Sequence, residues 1–412
     1  MNNTQYDSEK IINLIKETLY LKGNYPKINL HEPSFRDTNA LKYIKDCLDK
    51  GWVSTAGVWV DEFEKKICQF TGSKYAVAVT NGTVGLRLSL HCIGVERGDE
   101  VITSPLTFIA TANAISHLGA TPHFVDIDSR NLSLSPKMVN KRLQEVAIKK
   151  KGKIYNKETG RRIAAILPIH VFGIPADMLE LKKIANNWNL PIVEDAAEAL
   201  GSKVYLDKEK YIHCGLLGDM GVISFNGNKL ITTGGGGVII TNNRNLAKKC
   251  RHLSTTAKEK HKWEFIHDDI GWNDRMPNIN AALGVAQLEV IKNKIHKKTK
   301  LFERYKHSFS KVDDVEILID NSKNINNYWL INLRFLDHRS INAEARKNDL
   351  LLRSHLNRIL IRPVWKLLHH LKMYKNTPKG NLKIAEDQAS RIISLPSSPK
   401  LIKSRSIFNF KY

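Results

Sequence analysis

The chain has 412 residues, 42% of them hydrophobic and 25% charged, and its 64 Lys and Arg outnumber 41 Asp and Glu for a formal charge of +23. That length and apolar content suffice for a sizeable core in two or three domains, while no run of 18 apolar residues is present to span a membrane. The polar first ten residues read as neither signal nor transit peptide, and no nucleic-acid motif accompanies the charge. The excess of Lys is therefore read as a bias spread over solvated faces, with a field able to attract small anions.

Residues 1–30 form an N-terminal segment in which EKIINLIKETLYLK (9–22) is amphipathic, with Ile11, Leu14, Ile15 and Leu19 near one face. It is expected to pack on the body or on a partner subunit rather than on a membrane. From about residue 74, short apolar runs alternate with helical patterns. The predicted strands are YAVAVT (75–80), EVITSP (100–105), TPHFVDID (121–128), IAAILPIHV (163–171), LPIVEDAA (190–197), GVISFN (221–226) and GGVIITN (236–242). Lys149, Lys150, Lys151 and Lys153 lie in a polar stretch read as an inserted loop. This alternation predicts an α/β fold with a mostly parallel sheet and helices on both faces, occupying residues 31–285. Beyond it a long helical pattern (278–309), the strands VEILID and YWLINLRFL and a helix (341–359) predict a smaller α/β domain over residues 286–412.

The five cysteines (Cys47, Cys68, Cys92, Cys214 and Cys250) are odd in number and far apart, with no CxxC pair. Neither disulfides nor a metal site are expected, and a reducing cytoplasm is.

Four stretches at the ends of predicted elements carry candidate chemistry. In TNGTVG (80–85), Gly82 allows close backbone approach to an anion at a helix N-terminus, and Thr83 adds a hydroxyl. The plain alternative is an ordinary turn. In IVEDAAEALG (192–201), Glu194 and Asp195 end a buried strand and Glu198 follows. Buried carboxylates need partners. A protonated pyridine nitrogen would satisfy one, although a helix-terminal acid has the same look. SFNGNK (224–229) ends in Lys229, a lysine at a strand end suited to Schiff-base chemistry if shielded from water, with Ser224 as a phosphate donor and Gly234–Gly237 beyond. A solvated surface lysine is the alternative. In GWNDRMPNINAALG (271–284), Asn273 and Arg275 precede a helix and could simply cap it.

Taken in order, WVSTAGVWVDEFE (52–64), TNGTVGL (80–86), SPLTFIATANAI (104–115), PIHVFGIPADM (168–178), VEDAAEALGS (193–202), SFNGNKLITTGGGG (224–237), GWNDRMPNINAALG (271–284), RPVW (362–365) and LPSS (395–398) resemble the DegT/StrS-type nucleotide-sugar aminotransferases. The resemblance implies a pyridoxal 5'-phosphate (PLP) enzyme of fold type I, aspartate-aminotransferase-like. Its large domain would hold a mostly parallel seven-stranded sheet, with a smaller C-terminal α/β domain. It implies that Lys229 carries the cofactor, Asp195 pairs with the pyridine nitrogen and Phe108 stacks on the ring. Gly82, Thr83 and Ser224 would form the phosphate cup, and Glu198 would lie near the cofactor. Asn273 would reach the phosphate from the other subunit of a homodimer with shared sites. Arg275, Thr55 and Arg362 are the candidate substrate contacts.

The implied reaction is a two-step amino transfer from an amino acid, expected to be L-glutamate, with pyridoxamine 5'-phosphate as the intermediate form of the cofactor. HEPSF, GWVSTAG, SFNGNK and RPVW are similar to a branch acting on UDP-linked 4-keto-6-deoxy-N-acetylamino sugars, which feeds bacillosamine-like and legionaminic-acid-like surface glycans. One departure is ILIRP (359–363), where relatives carry Gly before RPVW. The alternatives are a sugar dehydratase on the same fold, whose members keep His in place of Lys229, and a non-catalytic basic scaffold.

Overall fold

The computed structural model describes residues 3–320, 322–336 and 343–402. Its first unit is organised by seven strands: β1 Tyr75–Val79, β2 Glu100–Thr103, β3 Thr121–Phe124, β4 Arg162–Leu167, β5 Val193–Asp195, β6 Met220–Ser224 and β7 Gly237–Thr241. Pairing runs β1–β7–β6–β5 on one side and β4–β2–β3 on the other. The two halves join through the parallel bridges Ile166–Ile192 and Ile169–Asp195. Only β7 runs antiparallel to its neighbours, β1 and β6. β2, β6 and β7 are buried along their whole length. Strands covered by helices on both faces read as continuous apolar runs, which is why the sequence shows them so plainly.

The basic stretch around Lys149 is not a loop. Ala147–Lys150 and Lys153–Asn156 form an antiparallel hairpin whose second strand pairs with the start of β4 through Ile154 and Tyr155. Its two-residue turn places Lys151 at φ 48° and Gly152 at φ 76°, the pair of positive values such a turn requires. The dense lysines concealed this signal.

A second sheet is antiparallel throughout, with β8 Val315–Ile317, β9 Ile331–Phe335, β10 Arg362–Pro363 and β11 Ile392–Leu395 in the order β8–β9–β11–β10. The N-terminal helix, Asn3–Thr18, packs on this C-terminal unit. Ile11, Ile12, Ile15 and Leu19 are buried with Leu301, Phe302, Tyr305 and Leu350, whereas Leu14 is only partly covered. Lys16 fastens the helix by donating to Asn357 Oδ1 at 2.8 Å. Ile15 is wholly buried. Truncating it to Ala is expected to lower stability by about 2–5 kcal/mol, read as a shift in the urea midpoint. Lys10→Ala, on the exposed face of the same helix, is expected to stay within about 0.5 kcal/mol.

Candidate active site

The carboxyl ends of β5 and β6 meet the start of the helix Gly82–Cys92, and a cavity of about 380 Å³ opens there. Gly82, Thr83, Phe108, Asp195, Glu198, Ser224 and Lys229 all line it. These residues come from four separate stretches of sequence, and strand-end loops of an open α/β sheet are where ligands bind.

Asp195 ends the central strand and is 4% exposed. Its carboxylate accepts a hydrogen bond from Thr111 Oγ1 at 2.7 Å and another from the Ala197 amide at 3.1 Å. Burial pushes its pKa up, against the opposing pull of these donors and of the Lys229 ammonium. A carboxylate held in this way favours a cationic partner in the cavity. Glu194, one residue earlier, points to the opposite face, as strand alternation demands. It takes no part in the cavity. Its oxygens accept from His170 Nε2 at 2.8 Å and from the amides of Gly215 and Gly218. The Ala176 amide donates to His170 Nδ1 at 3.0 Å, so the ring proton sits on Nε2 and faces Glu194.

At the helix start, Asn81 caps the chain by accepting from the Val84 amide at 2.9 Å. The first amides of a helix lack intrahelical partners and, with the helix dipole, favour an anion. A Cβ on Gly82 would lie 3.1 Å from Ser224 Cβ, and one on Gly237 would lie 2.8 Å from the Gly82 amide nitrogen. The glycines therefore let the helix start, β6 and β7 interlock, leaving Thr83 and Ser224 beside the first amides of the helix.

Lys229 does not end its strand. It stands in a turn five residues beyond Ser224, and its amide donates to the Asn226 carbonyl at 3.0 Å. Nζ is 3.1 Å from Glu198 Oε1 and 4.0 Å from the centroid of the Trp329 ring. Glu198 is buried, which pushes its pKa up while the Lys229 charge opposes the shift. Its second oxygen accepts from the Phe172 amide at 2.8 Å. Phe172 takes φ 57°, an uncommon value for a bulky residue, and so turns its amide toward Glu198. Phe108 is 52% exposed. An aromatic ring facing an open concave wall suits a flat ligand better than a core.

Sequence reasoning missed Thr111, Trp329 and Trp365. Thr111 sits one helical turn from Thr107, and their hydroxyls are 3.0 Å apart. Trp329 and Trp365 reach the cavity from the C-terminal unit. Trp329 Nε1 donates to the Asn228 carbonyl at 2.8 Å, and Trp365 stacks on Phe172 with centroids 5.0 Å apart. Four sequence candidates do not line this cavity within one chain. Asn273 is exposed and bridges to Thr255. Arg275 is 3.5 Å from Asp61. Thr55 precedes the helix Val58–Thr71, and Arg362 is exposed in β10.

The buried carboxylate, the exposed aromatic face, the anion cradle and the amine of Lys229 fit a planar cationic ring with a phosphate arm. Residues 35–406 match the DegT/DnrJ/EryC1/StrS aminotransferase family. Over 383 residues the chain is 37% identical to the GDP-perosamine synthase of Escherichia coli O157:H7, covering 92% of this chain and 96% of that one. The GDP-perosamine synthase of Vibrio cholerae is 33% identical over 375 residues, covering 91% and 95%. Helicobacter pylori PseC, described as an aminotransferase involved in the biosynthesis of pseudoaminic acid, matches with a TM-score of 0.78 at 25% identity, covering 90% of this chain and 93% of that one. These relatives support the family without singling out the bacillosamine and legionaminic-acid branch. The chain belongs to the DegT/DnrJ/EryC1/StrS family of aminotransferases, which use PLP and share fold type I.

Proposed function

We propose that this protein transfers an amino group from an amino acid, L-glutamate in this reading, to the C-4 ketone of a nucleotide-linked 4-keto-6-deoxy sugar used in surface glycans. The observation that carries the reading is that the buried Asp195 carboxylate and the Lys229 amine line one cavity beside the Gly82 cradle. When bound, PLP supplies an electron sink for charge developing at the donor's α-carbon.

This chain's own residues do the rest. Asp195 holds a proton on the ring nitrogen, and Thr111 fixes the carboxylate for that task. The amides of Gly82 and Thr83 and the Ser224 hydroxyl receive the phosphate, and Phe108 covers the ring. Lys229 would hold the cofactor, and its Nζ, when free, would move the α-proton; Glu198 together with the Trp329 ring gives the free amine a fixed resting position. The presence of Lys229 argues against the dehydratase reading.

Asn273 and Arg275 lie outside the cavity of their own chain, which favours a homodimer in which they complete a partner's site. The unpaired cysteines are compatible with action in the cytoplasm. Among the described residues no helix is long and apolar enough to cross a membrane. Two acceptors stand as candidates. The motifs similar to the bacillosamine and legionaminic-acid branch favour a UDP-linked N-acetylamino sugar, and the names of the relatives at 37% and 33% identity favour a GDP-linked sugar.

Borohydride reduction of the yellow holoenzyme is expected to fix the chromophore on the peptide containing Lys229. Lys229→Ala should lower the rate by roughly 10²–10⁴-fold, the span usual for a lost proton-transfer group. A protein that takes up no PLP sinks the reading. Single-turnover mixing of the pyridoxamine-loaded enzyme with GDP- and UDP-linked 4-keto-6-deoxy sugars should show amination of one of the two at the higher rate. Amination of non-nucleotide ketones alone would overturn the substrate class.

A third expectation follows from Asp195. Because burial raises its folded-state pKa, the ionised form destabilises the cofactor-free fold at pH above that value, and the penalty fades as the carboxyl protonates. Cofactor-free Asp195→Asn should therefore be more stable than the parent at pH 8, with the gap closing toward pH 4, although it binds PLP more weakly. Urea midpoints at the two pH values check the sign.

A further inference from the structure

The turn that brings Trp365 to the cavity runs on into the short helix Leu368–His370. There two adjacent histidines converge on one carboxylate. His369 Nε2 is 3.3 Å and His370 Nε2 is 3.8 Å from the same oxygen, Oε1 of Glu386. Glu386 lies in the first turn of the helix Lys383–Arg391. Successive side chains in a turn of three residues normally diverge by a third of a circle. These two rings instead share a side, with centroids 4.0 Å apart and planes tilted by 56°. The 3.8 Å separation is too long for a hydrogen bond, so hydrogen bonding alone does not account for the convergence.

His369 is 4% exposed, and its Nδ1 has no hydrogen-bond partner. With its proton on Nδ1, the ring has the Nε2 lone pair, which faces Glu386 Oε1, to give. The donor atoms of His369, His370 and Glu386 all lie within 4.8 Å of one another. Three donors about 2.0–2.2 Å from a common centre fit that spread after small side-chain rotations. Two imidazoles with one carboxylate select a borderline cation of the zinc class over the hard cations magnesium and calcium, which prefer oxygen. The cysteine spacing, on which the expectation of no metal rested, has no bearing on such a set.

We propose that His369, His370 and Glu386 bind one zinc-class divalent cation, leaving a coordination position open to solvent. His370 and Glu386 are about half exposed, so the cation enters from the surface. Lys379 is a nearby opposing charge, and its ammonium is engaged by the Lys375 carbonyl at 3.2 Å. Bound metal would cross-link the 365–370 turn to the helix Lys383–Arg391. The Leu368 amide of that turn donates to the Pro105 carbonyl at 3.0 Å, close to Thr107 and Phe108. The cross-link would thus brace one wall of the Lys229 cavity without contacting the reacting groups, and it does not depend on the aminotransferase reading.

The test uses tag-free holoenzyme, stripped with a chelator and titrated with Zn²⁺ by calorimetry and with Co²⁺ by visible absorption. One equivalent per chain is expected, with a rise in Tm. The Co²⁺ bands should lack the near-ultraviolet sulfur charge transfer that cysteine ligation would add. His370→Ala and Glu386→Gln, both at exposed side chains, should each lose that equivalent and the Tm response. Their metal-free Tm and PLP absorbance should match the parent. Unchanged stoichiometry in both variants, sulfur charge-transfer bands, or the absence of a Zn²⁺-dependent response in the parent overturns the proposal.

Discussion

The Asp195 carboxylate sits at the carboxyl end of the central strand, where burial removes most of its water and raises its pKa. A hydroxyl, an amide and a nearby ammonium offset part of that loss. Much of the surrounding structure is arranged by the same need. The helix Ala110–Ser116 presents Thr111, the turn after β6 presents Lys229, and the cavity between them can admit a cationic ring. A carboxylate in this setting is costly to the empty protein and useful to the loaded one, which is the trade expected of a functional group held out of water.

A second network keeps the first in place. His170 receives the Ala176 amide and donates to Glu194, whose other partners are the amides of two glycines. Burial alone would raise the Glu194 pKa, but the hydrogen bond from His170 and those from the two amides hold it below its ordinary value. The loop after His170 bends through Phe172 to support Glu198, and Glu198 holds Lys229. From the other unit, Trp329 closes the floor under Lys229, and its carbonyl accepts from the wholly buried Lys298. Burial pushes the Lys298 pKa far down, and its Nζ donates to the carbonyls of Trp329 and Ser397. Catalytic candidates in the first unit thus depend on side chains supplied by the second.

The motifs of the large unit were legible because each is local. A glycine at a helix start, two acids at a strand end and a lysine before a glycine run leave a mark in a few consecutive residues. The hairpin at Lys149–Lys153 went unrecognised because four lysines masked Ile148, Ile154 and Tyr155, and its Lys-Gly turn is a less familiar pair than Asn-Gly. Lys229 was read at a strand end but stands in the following turn, since strand limits depend on pairing with β5 and β7 rather than on propensity.

By itself, the amino-acid sequence determined the α/β class, the order of the seven main strands along the chain and, through local motifs and the resemblance they carry, seven residues that line the cavity: Gly82, Thr83, Phe108, Asp195, Glu198, Ser224 and Lys229. The tertiary structure supplied the reason that Asp195 rather than its neighbour Glu194 faces the cavity: a strand sends the two to opposite faces, and the pairing of β5 sets which is which. It alone brought Trp329 and Trp365 beside Lys229, and it alone turned His369 and His370 toward Glu386. These contacts join residues far apart in the chain or bend neighbours onto one side, and neither relation leaves a periodic trace in sequence.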